Sequence, residues 1–274
     1  MRVRIATRPG SPGRPNEDHA MADATTAVVV DGVTARTGTG CAHGTAWFAG
    51  QLARDVLDAP DPAPRDALRS AIARTAARHA GTCDLDDPAT PCAAVGVVRI
   101  TDGLLRYAVL GDVTVVLESD GTERVVSDER VAATARAERD AAARLPLGSD
   151  ARAAALLGMK RAEIAQRNRP GGYWVAGSDP AAADEALTGE VPLDGPTRVA
   201  LLTDGAARAV DPFGLTGWPG LLDLLAATGP DALLDLVRAA ERADADAVRW
   251  PRTKVSDDAT AVLCTLREDA CASR

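Results

Sequence analysis

Two hydrophobic periodicities divide the chain into predicted strands and predicted helices. Apolar runs rich in Val, Ala and Leu predict strands at 2–7, 20–22, 27–30, 93–100, 104–110, 113–118, 122–126, 197–203 and 259–266, with a further short run at 173–176. Apolar residues at helical spacing predict helices at 45–59, 66–80, 128–144, 151–166, 180–187, 221–228 and 231–245. Stretches rich in Gly, Pro or Thr predict the loops between them, notably 8–15, 37–44 and 82–91.

The order of these elements predicts the fold class. The strands between 93 and 126 follow one another so closely that neighbours in sequence must be antiparallel. Alternating strand–helix units are absent, which disfavours a doubly wound parallel sheet. We therefore predict an α+β fold, a four-layer αββα sandwich in which two mostly antiparallel β-sheets are flanked by helices. Because no repeat or linker interrupts the sequence, we expect residues 1–274 to form a single domain.

Acidic residues stand at the ends of several predicted core strands. The run Ala27–Val30 ends in Asp31-Gly32, and the run at 197–203 ends in Asp204-Gly205. Glu17-Asp18 precedes the first of these runs, and Asp257-Asp258 opens the last strand. A carboxylate at the end of a buried strand is costly unless a cation or hydrogen-bond donors meet it. Strand ends can converge on one sheet edge, and oxygen ligands gathered there suit magnesium or manganese better than zinc.

Asp-Gly is also the commonest hairpin turn signal, so a structural interpretation competes with a metal site. Asp102-Gly103 and Asp120-Gly121 each join two strand-like runs and predict ordinary hairpins. Asp31-Gly32 and Asp204-Gly205 differ, because polar or small residues follow them rather than a returning strand. This difference favours a site at Asp31 and Asp204.

Composition narrows the function classes. A net charge of −8 without a dense basic run, and an aromatic content of 3%, argue against nucleic-acid binding. The five cysteines are odd in number, scattered and free of a Cys-x-x-Cys pair, which argues against both a disulfide framework and a zinc knuckle. The chain has neither the apolar core of a signal peptide nor a run of membrane-spanning length. We therefore expect a cytoplasmic protein with no membrane partner.

Five motifs occur in the order seen in the type 2C metal-dependent Ser/Thr protein phosphatases, the PPM family, and the chain resembles a bacterial-type member. They are Asn16-Glu17-Asp18, Val-Val-Val-Asp31-Gly32, Leu-Gly111-Asp112, Leu-Leu-Thr-Asp204-Gly205 and Asp257-Asp258-Ala-Thr260. Each motif is weak alone. Together they span nearly the whole chain, from Arg14 to Leu266.

The resemblance implies a phosphatase centre with two Mn²⁺ or Mg²⁺ ions and a third, weaker metal site. Asp31 would bridge the two ions, the Gly32 carbonyl and Glu17 would hold one, and Asp204 and Asp257 would hold the other. Asp112 matches the third site, and Asp18 would support the ligands. In the family, the water between the two metals attacks a phosphomonoester, because two cations lower its pKa and stabilise the phosphoryl charge.

The chain departs from the family pattern at two positions. The family's phosphate-contacting arginine would fall at position 13, which is Gly here, so we assign that role to Arg14, with Arg8 as the substitute. Val33 stands where many eukaryotic members have His. His43 has two interpretations, a residue lining the site or a helix-capping or surface residue. Arg167 and Arg169 could clamp phosphate or form a solvated helix end.

Three hypotheses compete. The first is a phosphatase acting on phosphoserine or phosphothreonine in proteins, although a small phosphomonoester substrate is an alternative. The second is a catalytically weak or inactive phospho-binding or regulatory module, which has no physical need for paired strand-end carboxylates. The third is an aspartyl-phosphate hydrolase of the haloacid dehalogenase class, whose nucleophile would fall at Val29 and is therefore missing. The sequence does not determine the oligomeric state.

Overall fold

The computed structural model describes residues 1–266 and contains ten strands and eight α-helices. The strands are β1 Arg2–Arg8, β2 Asp18–Ala22, β3 Thr26–Gly32, β4 Ala93–Thr101, β5 Leu104–Leu110, β6 Thr114–Ser119, β7 Thr122–Val126, β8 Leu187–Pro192, β9 Thr197–Leu202 and β10 Ala259–Leu266. The helices are α1 Thr45–Leu57, α2 Pro64–His79, α3 Arg130–Ala133, α4 Arg136–Ala143, α5 Asp150–Gln166, α6 Asp204–Ala207, α7 Trp218–Thr228 and α8 Pro230–Ala243. A 3₁₀ helix spans Pro180–Glu185.

The strands form two five-stranded sheets in which every pairing is antiparallel. One sheet has the order β1-β10-β9-β6-β7, and the other has the order β2-β3-β4-β5-β8. The hairpins predicted at Asp102-Gly103 and Asp120-Gly121 join β4 to β5 and β6 to β7. Both aspartates adopt positive φ angles, of 54° and 49°, that suit such tight turns.

Alternation along the strands builds the four layers. In β3, Val28 and Val30 pack against α1 and α2, whereas Ala27 and Val29 face the opposite sheet. The inter-sheet core also contains Val109, Val115, Leu201 and Val262. On the far side, α7 and α8 cover the other sheet. Period-two alternation with both faces apolar requires a partner on each side, and the αββα sandwich supplies both. The predicted fold class is confirmed.

Three local predictions differ from the structure. The helix expected at 180–187 is a 3₁₀ turn, and the missed strand β8 follows it along the edge of β5. The helix expected at 128–144 is broken into α3 and α4 at Ala135, whose φ is 49°. The short run at 173–176 forms no strand and pairs only through isolated bridges, Tyr173 with Arg167 and Ala176 with Ala93. The residues of strand β8 are mostly exposed and weakly apolar, so no sequence pattern predicts this strand. The strand forms because it pairs with the edge of β5.

None of the helices within residues 1–266 combines the length and the hydrophobicity that spanning a lipid bilayer requires.

A buried carboxylate ties the two helices of one layer together. Asp55 of α1 is 1% exposed and accepts hydrogen bonds from Arg78 at 2.7 Å and 3.1 Å and from Thr75 at 2.9 Å, both on α2. Burial alone would raise the pKa of Asp55, but these donors outweigh it and lower the pKa below the ordinary value. A lowered pKa in the folded state means that the ionised form stabilises the fold.

We expect Asp55→Asn to lower the free energy of unfolding by about 2 kcal/mol at neutral pH, because partnered donors lose a charged acceptor. The folded-state pKa lies below the unfolded one, so the contribution of Asp55 is present above about pH 4 and is lost as the pH falls further. Urea unfolding across this range measures it. Asp58→Asn, at an exposed residue ending the same helix, is the control. Equal effects of the two variants at neutral pH would contradict the assignment.

Candidate active site

The strand-end acids meet where the two sheets face each other. Asp18 and Asp31 are directly opposite in the β2–β3 ladder. The Asp204 N–H, at the start of α6, donates to Asp31 Oδ2 at 3.3 Å and links one sheet to the other. Asp18 is 3% exposed and accepts from Thr203 Oγ1 at 2.8 Å. Residues 173 positions apart in sequence therefore share one centre.

Two glycines allow this close approach. A Cβ on Gly32 would lie 2.6 Å from the Glu17 carbonyl oxygen, which accepts the Gly32 N–H at 3.1 Å. A Cβ on Gly205 would lie 1.9 Å from the Asp258 carbonyl oxygen. Real Cβ contacts are never so short, so any side chain at either position would push neighbouring acidic segments apart. The glycine after each strand-end aspartate is thus required by packing.

A cleft of about 850 Å³ opens over these residues. Its lining includes Asp31, Gly32, Asp112, Asp204 and Asp257, five of the seven residues predicted to form the metal centre. Of the other two, Asp18 is buried opposite Asp31 in the β2–β3 ladder, and Glu17 accepts a hydrogen bond at 2.7 Å from the hydroxyl of Thr34, which lines the cleft. The structure therefore gathers all seven predicted residues at or beside one cleft.

The carboxylates of the cleft repel one another. Desolvation raises the pKa of Asp31 well above its ordinary value, and the charges of Asp18, Asp204, Asp112 and Asp257 raise it further. Desolvation and the charge of Asp204 raise the pKa of Asp112 to about 7. The pKa of Asp204 is raised by desolvation and then by Asp257. Such shifts identify a cluster with too little positive charge of its own, which is typical of functional sites.

Asp257 is the exception, because two cations contact it. Lys254 Nζ lies 2.5 Å from Asp257 Oδ1, and an Arg208 nitrogen lies 3.2 Å from Oδ2. Desolvation would raise the pKa of Asp257, but Lys254 and Arg208 outweigh it and lower the pKa. Behind Arg208, the buried Glu241 accepts at 2.8 Å and also pairs with Arg238 at 2.7 Å. This ion-pair network is not predictable from the sequence, because nothing in the local pattern links helix α8 to the site.

Asp258 has a structural role that differs from that of its neighbour. Its carboxylate accepts the backbone N–H groups of Gly10 and Glu17, each at 2.7 Å. These bonds fasten the loop after β1 onto the start of β10 and so place Glu17 beside Gly32. The two adjacent acids therefore have different roles: Asp257 faces the cleft, and Asp258 holds the loop that carries Glu17.

Neither predicted phosphate-binding arginine lines the cleft. Arg14 is exposed on the loop after β1, and its side chain makes no hydrogen bond or ion pair within residues 1–266. Arg8 is paired with Asp231, at 3.2 Å, and with Asp235. The side chain of Arg8 is thus held by ion pairs to α8. Arg14, on the loop after β1, has no side-chain partner within residues 1–266.

Other basic residues line the cleft and were missed from the sequence. They are Arg36, Arg136, Arg139, Lys160 and Lys254. Arg139 and Lys160 pair with Glu163 at 3.0 Å and 3.3 Å.

Arg167, considered as a phosphate clamp, instead donates to the carbonyl groups of Pro88 and Thr90 at 3.1 Å and 3.2 Å. Arg169 is exposed and outside the cleft. The segment from 128 to 175 forms one wall of the cleft.

His43 also lies outside the cleft. It stacks on Trp47 with ring centroids 4.1 Å apart, and its Nδ1 is 3.3 Å from Cys83 Sγ. The structure therefore places His43 beside cysteines rather than beside the acidic centre.

Comparison with known proteins agrees with the fold. The family model for protein phosphatase 2C matches residues 11–229. The chain belongs to this family, and it is a metal-dependent protein serine/threonine phosphatase by class. The resemblance found in the five motifs is therefore confirmed. No curated protein matches the chain.

Solved bacterial structures share the fold over nearly their whole length. The serine/threonine phosphatase PstP/Ppp of Mycobacterium tuberculosis is 15% identical with a TM-score of 0.58, covering 97% of this chain and 98% of that one. PppA of Pseudomonas aeruginosa is 16% identical with a TM-score of 0.57, covering 97% of each. The phosphatase MsPP of Mycobacterium smegmatis, in complex with cacodylate, is 19% identical with a TM-score of 0.53, covering 96% and 97%.

The Lys254–Asp257 ion pair predicts that Lys254 lowers the affinity of the cleft for a metal ion. Lys254→Met keeps the length of the side chain but frees Asp257 Oδ1 and removes a positive charge. We expect the variant to bind Mn²⁺ roughly 3- to 10-fold more tightly in a calorimetric titration, the equivalent of about 1 kcal/mol. Lys160→Met, on the same cleft but paired with Glu163, is the control. Weaker binding by Lys254→Met would show instead that Lys254 orients Asp257 for the metal.

Proposed function

We propose that this protein hydrolyses phosphomonoesters, foremost phosphoserine and phosphothreonine in proteins, with a water molecule activated between two divalent metal ions. The observation that carries the proposal is the meeting of Asp31 and Asp204 from opposite sheets within one acidic cleft. The net charge of −8 favours a phosphoprotein over a nucleic acid as substrate.

The residues present fit divalent cations. The donors are carboxylate oxygens and one backbone carbonyl, the hard ligands that Mg²⁺ and Mn²⁺ prefer. The raised pKa values of Asp31, Asp112 and Asp204 indicate negative charge that a cation would offset. No three of these acids within residues 1–266 bring their oxygens within 4.8 Å of one another, so binding requires side-chain rotation toward the ion. One neighbouring structure, the PstP catalytic domain at 14% identity and a TM-score of 0.56, is described in complex with two manganese ions.

Each residue has a proposed role. Asp31, at the centre of the cluster, would bridge two ions, with the Gly32 carbonyl and Glu17 holding the first. Asp204 and Asp257 would hold the second, and Asp112 would contribute to a third, weaker site. Asp18 would keep Asp31 in place from β2. These assignments follow the family motifs, and five of the residues line the cleft.

The bound ions would supply charge stabilisation to the transferring phosphoryl group and a nucleophilic water at neutral pH. The protein's own contribution is to anchor the segments that carry the acids, so that only the carboxylate side chains need to turn toward the ions. Thr203 fixes Asp18, Asp258 fixes the loop that carries Glu17, and Arg208 holds Asp257 through Oδ2. Preorganised ligands lower the cost of placing charge where the transition state needs it. At about 850 Å³, the cleft has room for a phosphorylated side chain and its flanking backbone.

The assay with p-nitrophenyl phosphate and Mn²⁺, with and without chelator, tests the activity. We expect Asp31→Asn to lose metal at one or both sites and to lower kcat by roughly 10² or more, because the substitution removes a charge that offsets two dications. The melting temperature should hold or rise in metal-free buffer, since one repelling carboxylate is gone.

Asp102→Asn is the matched control, because it changes the same Asp-Gly dipeptide at an exposed hairpin. It should keep full activity and metal content. If Asp31→Asn matched it in both, the two-metal proposal would fail. Metal binding without turnover in the wild type would favour the alternative, a phospho-binding regulatory module.

Arg14 is proposed to contact the phosphate, since it lies three residues before Glu17 and its side chain is unengaged within residues 1–266. Arg14→Ala should raise KM for a phosphopeptide several-fold with little change in kcat, because binding shared by ground and transition states is lost first. Arg36→Ala, on the wall of the same cleft, is the comparison. An unchanged KM for Arg14→Ala, with a raised KM for Arg36→Ala, would transfer the role to Arg36. If neither KM changed, Arg8 would be tested next.

A further inference from the structure

Two cysteines and two histidines meet on the helical side of the molecule, away from the acidic cleft. They are Cys41, His43, His79 and Cys83, and none of them lines the cleft. One ligand atom from each residue, Sγ or a ring nitrogen, lies within 4.8 Å of those of the other three. The sequence offers only the unremarkable spacings Cys-x-His and His-x₃-Cys, separated by 35 residues. Scattered cysteines and the lack of Cys-x-x-Cys argued against zinc, but folding unites the two halves.

The distances suit a tetrahedral ion. Cys41 Sγ lies 3.2 Å from Cys83 Sγ, 3.8 Å from His79 Nδ1 and 3.9 Å from His43 Nδ1, and Cys83 Sγ lies 3.3 Å from His43 Nδ1. With Zn–S bonds of about 2.3 Å and Zn–N bonds of about 2.0 Å, the corners of a ligand tetrahedron lie roughly 3.3 to 3.8 Å apart. The four atoms therefore stand close to the spacing that one zinc ion would impose.

The fold presents these side chains from two rigid places. His79 is the last residue of α2, and Cys83 follows it in the next turn, where the Cys83 N–H donates to the His79 carbonyl at 2.9 Å. Cys41 and His43 lie on the loop before α1, which the Asp84 N–H ties down at the Gly40 carbonyl, also at 2.9 Å. Stacking on Trp47 orients the His43 ring.

The buried imidazole of His79 points to a ligand. His79 is 1% exposed, and its Nε2 has no hydrogen-bond partner within the described chain. The other ring nitrogen, Nδ1, lies 3.8 Å from Cys41 Sγ, which is a weak contact. A buried imidazole with so few hydrogen bonds is costly. A bond from Nδ1 to a metal ion would replace the weak sulfur contact and offset part of that cost, while Nε2 would stay as it is.

We propose that Cys41, His43, His79 and Cys83 bind one structural Zn²⁺ ion, separate from the Mn²⁺ or Mg²⁺ ions of the cleft. Two thiolates and two imidazoles form the Cys₂His₂ set that zinc prefers, whereas the oxygen ligands of the cleft suit harder ions. One chain would thus bind two kinds of metal ion, because its two sites offer different ligand atoms. The zinc would fasten the 37–44 loop, which leads away from the Asp31–Thr34 segment, to the end of α2.

A disulfide between Cys41 and Cys83 is the competing use of the two sulfurs. At 3.2 Å the sulfurs are not bonded, and both cysteines are free thiols in the structure. A disulfide would also leave both imidazoles without a role. The presence of two of the chain's three histidines at this one place favours the metal.

The test uses the full chain purified without chelator and then desalted. Elemental analysis should find one zinc per chain. His43→Gln and Cys83→Ser, both at accessible positions, should weaken zinc binding by at least about 100-fold. His19→Gln and Cys92→Ala, which remove the remaining histidine and a cysteine outside the cluster, should bind zinc like the wild type. Cobalt(II) should produce sulfur-to-metal charge-transfer absorption in the wild type and both controls, but not in the cluster variants.

Stability provides a second measurement. Zinc at saturating concentration should raise the melting temperature of the wild type by roughly 5 °C or more and leave that of Cys83→Ser unchanged. The proposal is overturned if the wild type takes up no zinc, if the cluster variants retain it, or if thiol counting finds a Cys41–Cys83 disulfide that persists with zinc present. Mn²⁺-dependent phosphatase activity is measured in parallel, because its presence or absence bears on the cleft alone.

Discussion

The repulsion among carboxylates held at one edge of two facing sheets is the constraint on which the rest of the site depends. Asp18 and Asp31 are neighbours across a ladder, and Asp204 reaches Asp31 from the opposite sheet. Desolvated like charges at this spacing raise one another's pKa values. The sandwich tolerates them because its layered apolar core stabilises the strands that carry them. A cation at that edge would turn a destabilising cluster into a binding site.

The protein also neutralises part of this charge itself. Lys254 and Arg208 contact Asp257, and the buried Glu241 holds Arg208 in place. This network connects the cleft to α8, a helix that also covers one sheet. A change on that helix can therefore reach the cleft through two ion pairs. The network also gives the acids different charge environments, because Asp257 forms ion pairs with two basic side chains whereas Asp31 forms none within residues 1–266.

The two metal chemistries proposed here lie at opposite ends of one connected segment. Strand β3 ends in the acids of the cleft, and the loop that follows leads to Cys41 and His43 before α1 begins. Hard oxygen donors lie at the first end and sulfur and imidazole donors at the second, so each end selects a different ion. Both ends rest on the same helical layer, which Asp55 secures by joining α1 to α2.

The sequence by itself determined the layers and the acids. Val28 and Val30 alternate with Ala27 and Val29, which predicts a strand covered on both faces, and Asp31-Gly32 stands out because no returning strand follows it. These signals are local, so a window of a few residues contains them.

Tertiary structure alone decided the long-range contacts. Strand β8 forms because β5 offers an edge, Arg208 reaches Asp257 because α8 supports it, and Cys41 approaches Cys83 because two helices return the chain to its starting point. No periodic pattern in the sequence predicts these pairings, because each joins residues that only the packing of the complete sandwich brings together.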